Sequence, residues 1–245
     1  MKGALCMALF VMADLHLDVK SNKKSMEIFG NRWTDYVQKI RNNWKKLVTE
    51  FDTVVIPGDI SWALNLEEAI SDLKWIDELP GRKILLKGNH DFWWGTNLKM
   101  QKCFFDNQIT TIDILSNNAI ECENYIISGS RGWFTDNSMQ TAYQNVDYSK
   151  IINRETIRLR MSLECAKKLH EETGKEILTF LHFPPVWGEF KCEEIISLLN
   201  EYNIKRCFFG HIHSCYTVPS SFIDGNIKFS IISADYLDFI PQFIG

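Results

Sequence analysis

The residues of this sequence that could carry out chemistry are carboxylates, imidazoles and an amide, grouped in short segments that follow apolar runs. The best defined is Gly88-Asn89-His90-Asp91, which comes directly after the strand-forming residues 83–86. A polar turn after an apolar strand is how an α/β protein presents reactive groups at the carboxyl end of that strand. The same arrangement recurs in four further segments, which are Asp14-Leu15-His16, Gly58-Asp59, His182 and Gly210-His211-Ile212-His213. Five of the six histidines therefore lie where a shared site would be built.

These clusters favour a metal site over structural packing. A single buried histidine at a strand end is usually a hydrogen-bonded structural residue, but burying several polar groups without partners costs about 1–3 kcal/mol for each. A bound metal removes that cost, and Asp, His and Asn ligands without cysteine suit manganese, iron, zinc or nickel, of which we favour manganese. Seven residues exceed the share of one catalytic metal, so two metals with a bridging carboxylate fit better. The candidate ligands are Asp14, His16, Asp59, Asn89, His182, His211 and His213.

The elements that must position these residues predict a mixed α/β fold. Residues 4–13, 53–56 and 83–86 are apolar runs typical of buried strands. Between them, apolar residues at helical spacing predict helices over 33–48 and 65–79, and Asn65 with Glu68 predicts a capping box at the start of the second. This β-α-β-α-β order implies a parallel sheet with right-handed crossovers.

The pattern is weaker beyond residue 96. It predicts strands over 109–115 and 119–127 as candidate neighbours, a long loop over 128–148, and then helix 154–172, strand 176–181, helix 191–202 and strands 206–209 and 228–232. Loops as long as 128–148 in a compact domain are usually functional or disordered. Because no repeat, low-complexity segment or linker interrupts the chain, we expect a single domain over 1–245.

Composition restricts the class of protein. The chain has 245 residues, 45% of them hydrophobic, a net charge of -4 and a pI near 5.9. Stable, nonspecific binding of nucleic acid needs a basic surface, so we expect none. The seven scattered cysteines are odd in number and include no CxxC pair, which favours reduced thiols and a cytoplasmic location.

The first residues admit two interpretations. Lys2 followed by the apolar run 4–13 has the pattern of a short signal peptide. We favour a buried first strand, because cleavage near Ala13 would remove the strand that presents Asp14 and His16. No run approaches about 20 uninterrupted apolar residues, so no membrane span is predicted. The sequence leaves the oligomeric state open.

Taken together and in this order, the segments D-x-H, G-D, G-N-H-D, H and G-H-x-H resemble the calcineurin-like metallophosphoesterase family. The matching residues span positions 14 to 213, nearly the whole chain. The resemblance implies an α/β fold in the form of a four-layer α-β-β-α sandwich, with two mixed sheets flanked by helices. It also implies two metals bridged by Asp59. One would be held by Asp14, His16, Asp59 and His213, and the other by Asp59, Asn89, His182 and His211.

The activity implied by the resemblance is hydrolysis of a small phosphomonoester or phosphodiester by attack of a metal-bridging hydroxide. Two metals about 3.5–4 Å apart clamp both oxygens of an in-line displacement and acidify a bridging water. His90, beside Asn89, would by the same resemblance protonate the leaving oxygen or stabilise its charge. Asp91 would either orient His90 or serve as a structural turn carboxylate.

The sequence departs from one branch of the family. Ser/Thr protein phosphatases carry further Asp and Arg residues after G-D and favour G-N-H-E, whereas here Ile60-Ser61-Trp62-Ala63 follow and the fourth residue is Asp91. A small phosphate ester is therefore expected rather than a phosphoprotein. The alternatives are a nuclease or cyclic-nucleotide phosphodiesterase, a non-catalytic scaffold of the same fold, and a nucleic-acid-binding module. Retention of every ligand and of His90 disfavours the scaffold, and the acidic charge disfavours the module.

Two further features could contact substrate. Arg131 lies after an apparent strand, between two glycines, and an arginine fork can hold two phosphate oxygens. The alternative for Arg131 is a surface salt bridge. Five tryptophans near the motifs either pack in the core beneath the loops or form an aromatic wall for a planar leaving group. They are Trp62, Trp93, Trp94, Trp133 and Trp187.

Overall fold

The structure is a computed structural model that describes residues 7–20, 24–134 and 148–245. The α-helices within these residues are α1 (Tyr36–Leu47), α2 (Leu66–Asp77), α3 (Asn97–Asp106), α4 (Tyr148–Thr173) and α5 (Glu193–Glu201). The strands are β1 (Leu9–Val11), β2 (Thr53–Pro57), β3 (Arg82–Leu86), β4 (Ile112–Ile114), β5 (Ile120–Cys122), β6 (Tyr125–Ser130), β7 (Glu176–Leu181), β8 (Val186–Trp187), β9 (Phe190–Lys191), β10 (Arg206–Phe209), β11 (Ser221–Asp224), β12 (Ile227–Ile231) and β13 (Gln242–Phe243). Short 3-10 helices cover Met26–Phe29 and Asn31–Trp33.

The first sheet has the strand order β13-β1-β2-β3-β4. Strands β1 to β4 run parallel, and β13 closes one edge in the antiparallel direction. In the register of this sheet Val11 pairs with Val55, and Pro57 pairs with Leu86. The carboxyl ends of β1, β2 and β3 therefore lie at one edge, where their following loops meet.

The second sheet has the order β11-β12-β10-β7-β6-β5. Its four central strands run parallel, while β11 and β5 are antiparallel edge strands. Leu181 at the end of β7 pairs with Phe209 on one side and with Ser130 on the other. The ends of β6, β7 and β10 are thus level with one another. Strands β8 and β9 form a separate two-stranded ribbon.

Side chains point alternately to the two faces of each strand, and the apolar core is divided into three layers. In β1, Leu9 and Val11 pack between the two sheets, against residues such as Phe180 and Phe208. Phe10 and Met12 point to the opposite face and pack with α1, α2 and α3. Helices α4 and α5 cover the outer face of the second sheet. Because side chains alternate with period two, each central strand serves both faces. The four-layer α-β-β-α sandwich of two mixed sheets is confirmed.

Most of the local predictions are confirmed. Helices α1 and α2 occupy the two predicted regions, and Asn65 caps α2 as predicted, although the return bond from Glu68 goes to the residue before the N-cap. The Asn65 side chain accepts from the Glu68 amide at 3.0 Å, and the Glu68 carboxylate accepts from the Leu64 amide at 3.0 Å. The predicted strands 53–56, 83–86, 176–181 and 206–209 are present as β2, β3, β7 and β10. The predicted first strand is present as β1, although residues 4–6 lie outside the described residues.

The weaker predictions needed correction. Regions 109–115 and 119–127 are not neighbours, because β4 belongs to the first sheet and the second region forms the β5–β6 hairpin of the other. Helix α3 was missed, because only Met100 and Phe104 of its residues are buried, and the exposed Leu98 and Phe105 obscure the helical period. The Thr96 side chain caps this helix. In the predicted loop 128–148, β6 extends to Ser130 and residues 135–147 lie outside the described residues. The helix predicted to start at 154 begins at Tyr148, and strand 228–232 is found as β12.

The edge strands β11 and β13 and the ribbon β8–β9 had no sequence prediction. Three of these four strands have only two residues, too few for a recognisable alternation. In the described part of the chain, no helix combines the length and the apolar character needed to cross a membrane.

Candidate metal centre

The two sheets bring the five polar segments together. Asp14 and His16 follow β1, Asp59 follows β2, and Asn89 with His90 follows β3. His182 follows β7, and His211 and His213 follow β10. All seven predicted ligands therefore come from loops at the carboxyl ends of parallel strands, where the first sheet faces the second. This is the edge at which α/β sheets place ligand-binding groups.

The loops that carry these side chains hold unusual backbone conformations. Positive φ angles occur at Asp14 (61°), His16 (45°), Asp59 (51°) and His211 (69°). Residues with a side chain rarely adopt this left-handed region, which costs on the order of 1–3 kcal/mol and persists where the surroundings impose it. Such strain is concentrated at functional sites, and here it falls on four of the seven predicted ligands.

The motif glycines allow the loops to approach one another. Gly58 has φ 99°, and a Cβ atom there would lie 2.5 Å from the His182 Nδ1 atom and 2.7 Å from the Gly88 Cα atom. A Cβ atom on Gly88 would collide with the amide nitrogen of Asp59. Any larger residue at either position would push apart the loops of β2, β3 and β7. The glycines of G-D and G-N-H-D therefore set the spacing of the site.

One cluster of donor atoms consists of Asp14, His16 and His213, whose ligand atoms all lie within 4.8 Å of one another. The Nε2 atoms of His16 and His213 are 3.3 Å apart. Burial lowers the pKa of His16 to about 3, so its imidazole is neutral at pH 7 and one ring nitrogen has a free lone pair. Burial raises the pKa of Asp14 to about 6, although the positive charges of His213 and His182 oppose this rise.

A second cluster consists of Asp59, His182 and His211, also within 4.8 Å. Asn89 joins it, with its Oδ1 atom 2.6 Å from the His182 Nε2 atom. Burial and the positive charge of His182 lower the pKa of His211 to about 3. Although burial opposes the change, the carboxylates of Asp59 and Asp14 raise the pKa of His182 to about 9. In the absence of a cation, a proton on His182 therefore balances the buried carboxylates.

Asp59 lies between the two clusters. Its Oδ2 atom is 3.7 Å from His16 Nε2 in the first cluster and 3.4 Å from His182 Nε2 in the second. Its Oδ1 atom accepts a hydrogen bond of 2.8 Å from the backbone amide of His90, which fixes the orientation of the carboxylate. A carboxylate held in this way could contribute to both sites at once.

The donor set fits divalent metal ions. Imidazole nitrogens, carboxylate oxygens and one amide oxygen converge in two groups that are mostly buried, with no thiolate among them. These are the ligands that suit manganese, iron, zinc or nickel in catalytic sites. The structure thus provides two candidate His/Asp metal sites.

His90 stands beside the two clusters and belongs to neither. Its half-buried ring lies 5.6 Å from the His16 ring and 4.5 Å from the Trp62 ring, measured between centroids. Burial lowers the pKa of His90, in spite of the nearby negative charge of Asp59. The imidazole therefore lies next to the candidate metal ligands without belonging to either cluster.

Asp91 has the contacts of a structural turn carboxylate. It is fully buried and accepts hydrogen bonds from the backbone amides of Gly88 (2.7 Å), Ile60 (2.9 Å) and Ser61 (3.2 Å) and from the indole of Trp93 (3.0 Å). None of these bonds goes to the His90 ring. Asp91 thus ties the loop after β2 to the loop after β3, which favours the structural interpretation of this residue.

Arg131 takes part in a salt bridge, with a buried partner. Its Nη2 atom donates to Glu155 Oε1 at 3.1 Å, and the Arg131 side chain is 18% exposed. Its backbone carbonyl accepts from the amide of Phe183, the residue after His182, at 2.9 Å. Arg131 is therefore adjacent to the second cluster through the backbone, and its binding of phosphate stays a prediction.

The tryptophans divide between the core and the site. Trp62 stacks on the His16 ring at 4.8 Å between centroids and an interplanar angle of 25°, so it forms part of the site. Trp93 is buried in the core and packs against half-buried Trp94. Trp133 packs against Phe183, and Trp187 against Phe209. The core interpretation applies to Trp93, and an aromatic wall that includes Trp62 stays a prediction.

Sequence reasoning missed Asp235. This fully buried carboxylate accepts a hydrogen bond of 2.8 Å from His213 Nδ1, and further bonds of 3.0 Å from the Ser214 amide and the Tyr216 hydroxyl. Although burial opposes it, the bond to Asp235 raises the pKa of His213. Asp235 follows an apolar strand, β12, in the segment Ser233-Ala234-Asp235. The signal that identified the other segments could therefore have identified this residue.

Comparisons with known proteins identify the family and the fold. The model of the calcineurin-like phosphoesterase family matches residues 7–215. The Gene 66 protein of Mycobacterium phage L5 is 37% identical over 81 residues, which are 32% of this chain and 37% of the phage protein's length.

Two solved structures share the fold. A phosphopantetheinyl hydrolase from Mycobacterium tuberculosis has a TM-score of 0.55 at 12% identity, with 97% of this chain and 95% of that chain covered. The TT1561 protein of Thermus thermophilus has a TM-score of 0.57 at 10% identity, with 98% and 99% covered. Since the family model covers most of the sequence, this chain belongs to the calcineurin-like phosphoesterase family.

Proposed function

We propose that the chain hydrolyses a small phosphomonoester or phosphodiester at a dinuclear metal centre and that residues 1–245 form one domain. The observation that carries the proposal is the position of Asp59, whose Oδ2 atom lies within 3.7 Å of His16 Nε2 and 3.4 Å of His182 Nε2. Asp59 is proposed as the bridging ligand. Asp14, His16 and His213 complete one site, and Asn89, His182 and His211 complete the other.

When bound, two divalent ions supply Lewis acidity for the phosphoryl oxygens and for the attacking water. The chain supports their binding by keeping His16 and His211 neutral at pH 7, because burial lowers the pKa of each to about 3. The proton on His182 must leave for this residue to act as a ligand, so metal binding releases a proton there. We propose manganese as the native metal, since the ligands are oxygens and imidazoles.

His90 is proposed to act on the leaving group. Its ring lies beside the His16 ring, and its backbone amide is anchored to Asp59, so the imidazole is held at a fixed distance from the bridging ligand. From there it can donate a proton or a hydrogen bond to the departing oxygen. Trp62 packs against both the His16 and His90 rings and restricts their orientation.

Asp91 is proposed to position the site rather than to touch substrate. Its hydrogen bonds to the amides of Ile60, Ser61 and Gly88 hold together the loops that carry Asp59 and Asn89. A small substrate is favoured because the segment Ile60-Ser61-Trp62-Ala63 lacks charged side chains that would bind a phosphoprotein.

We also propose a cytoplasmic location. The cysteines among the described residues are all free thiols, three of them buried, and reduced thiols are typical of the cytosol.

The test is an assay of metal dependence and ester class. The protein is purified without chelator, and hydrolysis of p-nitrophenyl phosphate and bis-p-nitrophenyl phosphate is measured with manganese, after chelation, and after manganese is restored. We expect activity on at least one ester that is lost on chelation and recovered with manganese. Activity that survives complete removal of metal would contradict the proposal, and the preferred ester decides between monoesterase and diesterase.

A further inference from the structure

A second polar groove lies next to the candidate metal centre. Its volume is about 610 Å³, within the range of small-molecule sites. The ends of β3, β4 and β6 line it, together with the first residues of α3 and one face of α4. Its cationic side chains are Lys87, Lys99, Arg131 and Arg158, and we call it the cationic groove.

The charge of the cationic groove is opposite to that of the chain. Glu155 is the one acidic side chain among its lining residues, so the four cations leave a formal excess of three positive charges, whereas the whole chain has a net charge of -4. Lys87 and Lys99 have no ion-pair partner among the described residues. A concave surface with excess positive charge concentrates the electrostatic field and attracts anions.

Glu155 binds both arginines of the groove, but its single negative charge does not neutralise their two positive charges. Its carboxylate is fully buried, and its Oε1 atom accepts from both Arg131 (3.1 Å) and Arg158 (2.8 Å). The Arg131 Nε atom is buried and has no hydrogen-bond partner. A guanidinium carries five N–H donors, so Arg131 keeps donor capacity that Glu155 does not use. Such a fork is suited to the oxygens of a phosphate group.

The walls of the groove continue into the metal centre. Lys87 immediately precedes Gly88 and Asn89. On the other wall, Ser130 at the end of β6 pairs with Leu181, and the carbonyl of the next residue, Arg131, accepts from the amide of Phe183. The residues before and after His182 are therefore both bonded to this wall. The cationic groove is thus joined to the cluster of Asn89 and His182 rather than to that of Asp14 and His213.

We propose that the cationic groove binds a second phosphate group of the substrate. The substrate class is then a small molecule with two separate phosphate groups, one cleaved at the metal centre and the other held by Lys87, Lys99 and Arg131. Trp94, half-buried in the same groove, supplies an apolar face for the organic part of the molecule. The assignment of the cleaved phosphate rests on the proposed function, whereas anion binding in the groove does not.

The first arm of the test measures anion binding without metal. Chelator-treated full-length protein is titrated with pyrophosphate at low ionic strength by calorimetry. We expect one pyrophosphate per chain and roughly tenfold weaker binding in Lys99→Ala, because one charge-assisted contact is lost. Lys102→Ala is the matched control, since Lys102 is an exposed lysine of the same helix that pairs with Asp106. Absence of binding, or equal binding by both variants, would overturn the anion site.

The second arm measures substrate preference in the metal-loaded enzyme. The ratio of kcat/KM for adenosine 3′,5′-bisphosphate to that for adenosine 5′-monophosphate should fall roughly tenfold in Lys99→Ala and stay unchanged in Lys102→Ala. An unchanged ratio in Lys99→Ala would refute the role in substrate binding. If wild-type protein hydrolyses no phosphate ester but binds pyrophosphate through Lys99, the phosphoesterase function fails and the anion site is upheld.

Discussion

The Asp235 carboxylate accepts a hydrogen bond of 2.8 Å from Nδ1 of His213, while Nε2 of the same ring lies 3.3 Å from Nε2 of His16. The bond fixes which nitrogen carries the proton and leaves Nε2 free for a metal. Carboxylates that hold metal-binding histidines in this way make the imidazole a better ligand.

Asp235→Asn should therefore weaken metal binding at the site of Asp14, His16 and His213 by roughly 10–100-fold. Competition with a fluorescent chelator measures the metal affinity of each of the two sites separately. Asp224→Asn, which alters an aspartate paired with Lys191 at the surface, is the control and should leave both unchanged. Wild-type affinity at both sites in Asp235→Asn would show that the hydrogen bond does not support a ligand.

His90→Gln should leave the metal content near that of wild type and lower kcat by roughly 10²–10⁴-fold if His90 is a general acid. Esters with an acidic leaving group, such as p-nitrophenol, need less protonation and should lose less activity than alkyl esters. The measurement is kcat over a series of leaving groups. An equal loss for every ester would exclude the general-acid role and leave electrostatic stabilisation.

Arg131→Lys should lose nearly as much activity as Arg131→Ala, because a single ammonium cannot replace a two-pronged contact with phosphate. Metal content should not change in either variant. Both changes also disturb the salt bridge to buried Glu155, so thermal unfolding is measured alongside kcat/KM. Arg160→Ala, which removes an exposed salt bridge to Glu201, is the control. Wild-type kcat/KM in folded Arg131→Ala would exclude Arg131 from substrate binding.

Lys83 should make stability depend on pH. This fully buried residue of β3 donates to Thr111 Oγ1 at 2.9 Å and to the carbonyls of Asp77 and Leu79, and burial lowers its pKa to about 8. Between that pH and the usual lysine pKa, the unfolded chain binds a proton that the folded chain has released, so stability rises with pH.

The free energy of unfolding of wild type relative to Lys83→Met should accordingly increase between about pH 8 and 10.5, by up to about 3 kcal/mol. Urea titrations of both proteins across this pH range measure the free energy of unfolding. The exposed Lys45→Met should show no such trend. A difference between wild type and Lys83→Met that does not change with pH would contradict the shifted pKa.

The sequence predicted those parts of the fold in which local signals agree with tertiary packing. Asn65 with Glu68, and the apolar run ending at Leu86, predicted α2 and β3 correctly because capping and burial act within a few residues. The placement of β4 and β5 in different sheets depends on contacts far apart in the sequence. No local pattern distinguishes that arrangement from a pair of neighbouring strands.

The candidate metal site, like the fold, could be predicted from the sequence only where local signals specify it. The seven predicted ligands share one signal, a polar residue after a buried strand, and the parallel sheets bring such residues to one edge. The contacts of Asp91 with three amides, and of Arg131 with Glu155, depend on how loops and α4 fold back. Those partners lie up to 31 residues away in the sequence, and spacing alone does not identify them.

The most direct test of the account is the number of metals bound per chain when Asp59 is replaced by Asn. Elemental analysis of wild type should find two metals. Asp59→Asn should lower occupancy at both sites, whereas Asp14→Asn and His182→Ala should each mainly empty one. Two metals per chain in Asp59→Asn, together with full phosphoesterase activity, would contradict the assignment of Asp59 as the carboxylate that joins the two sites.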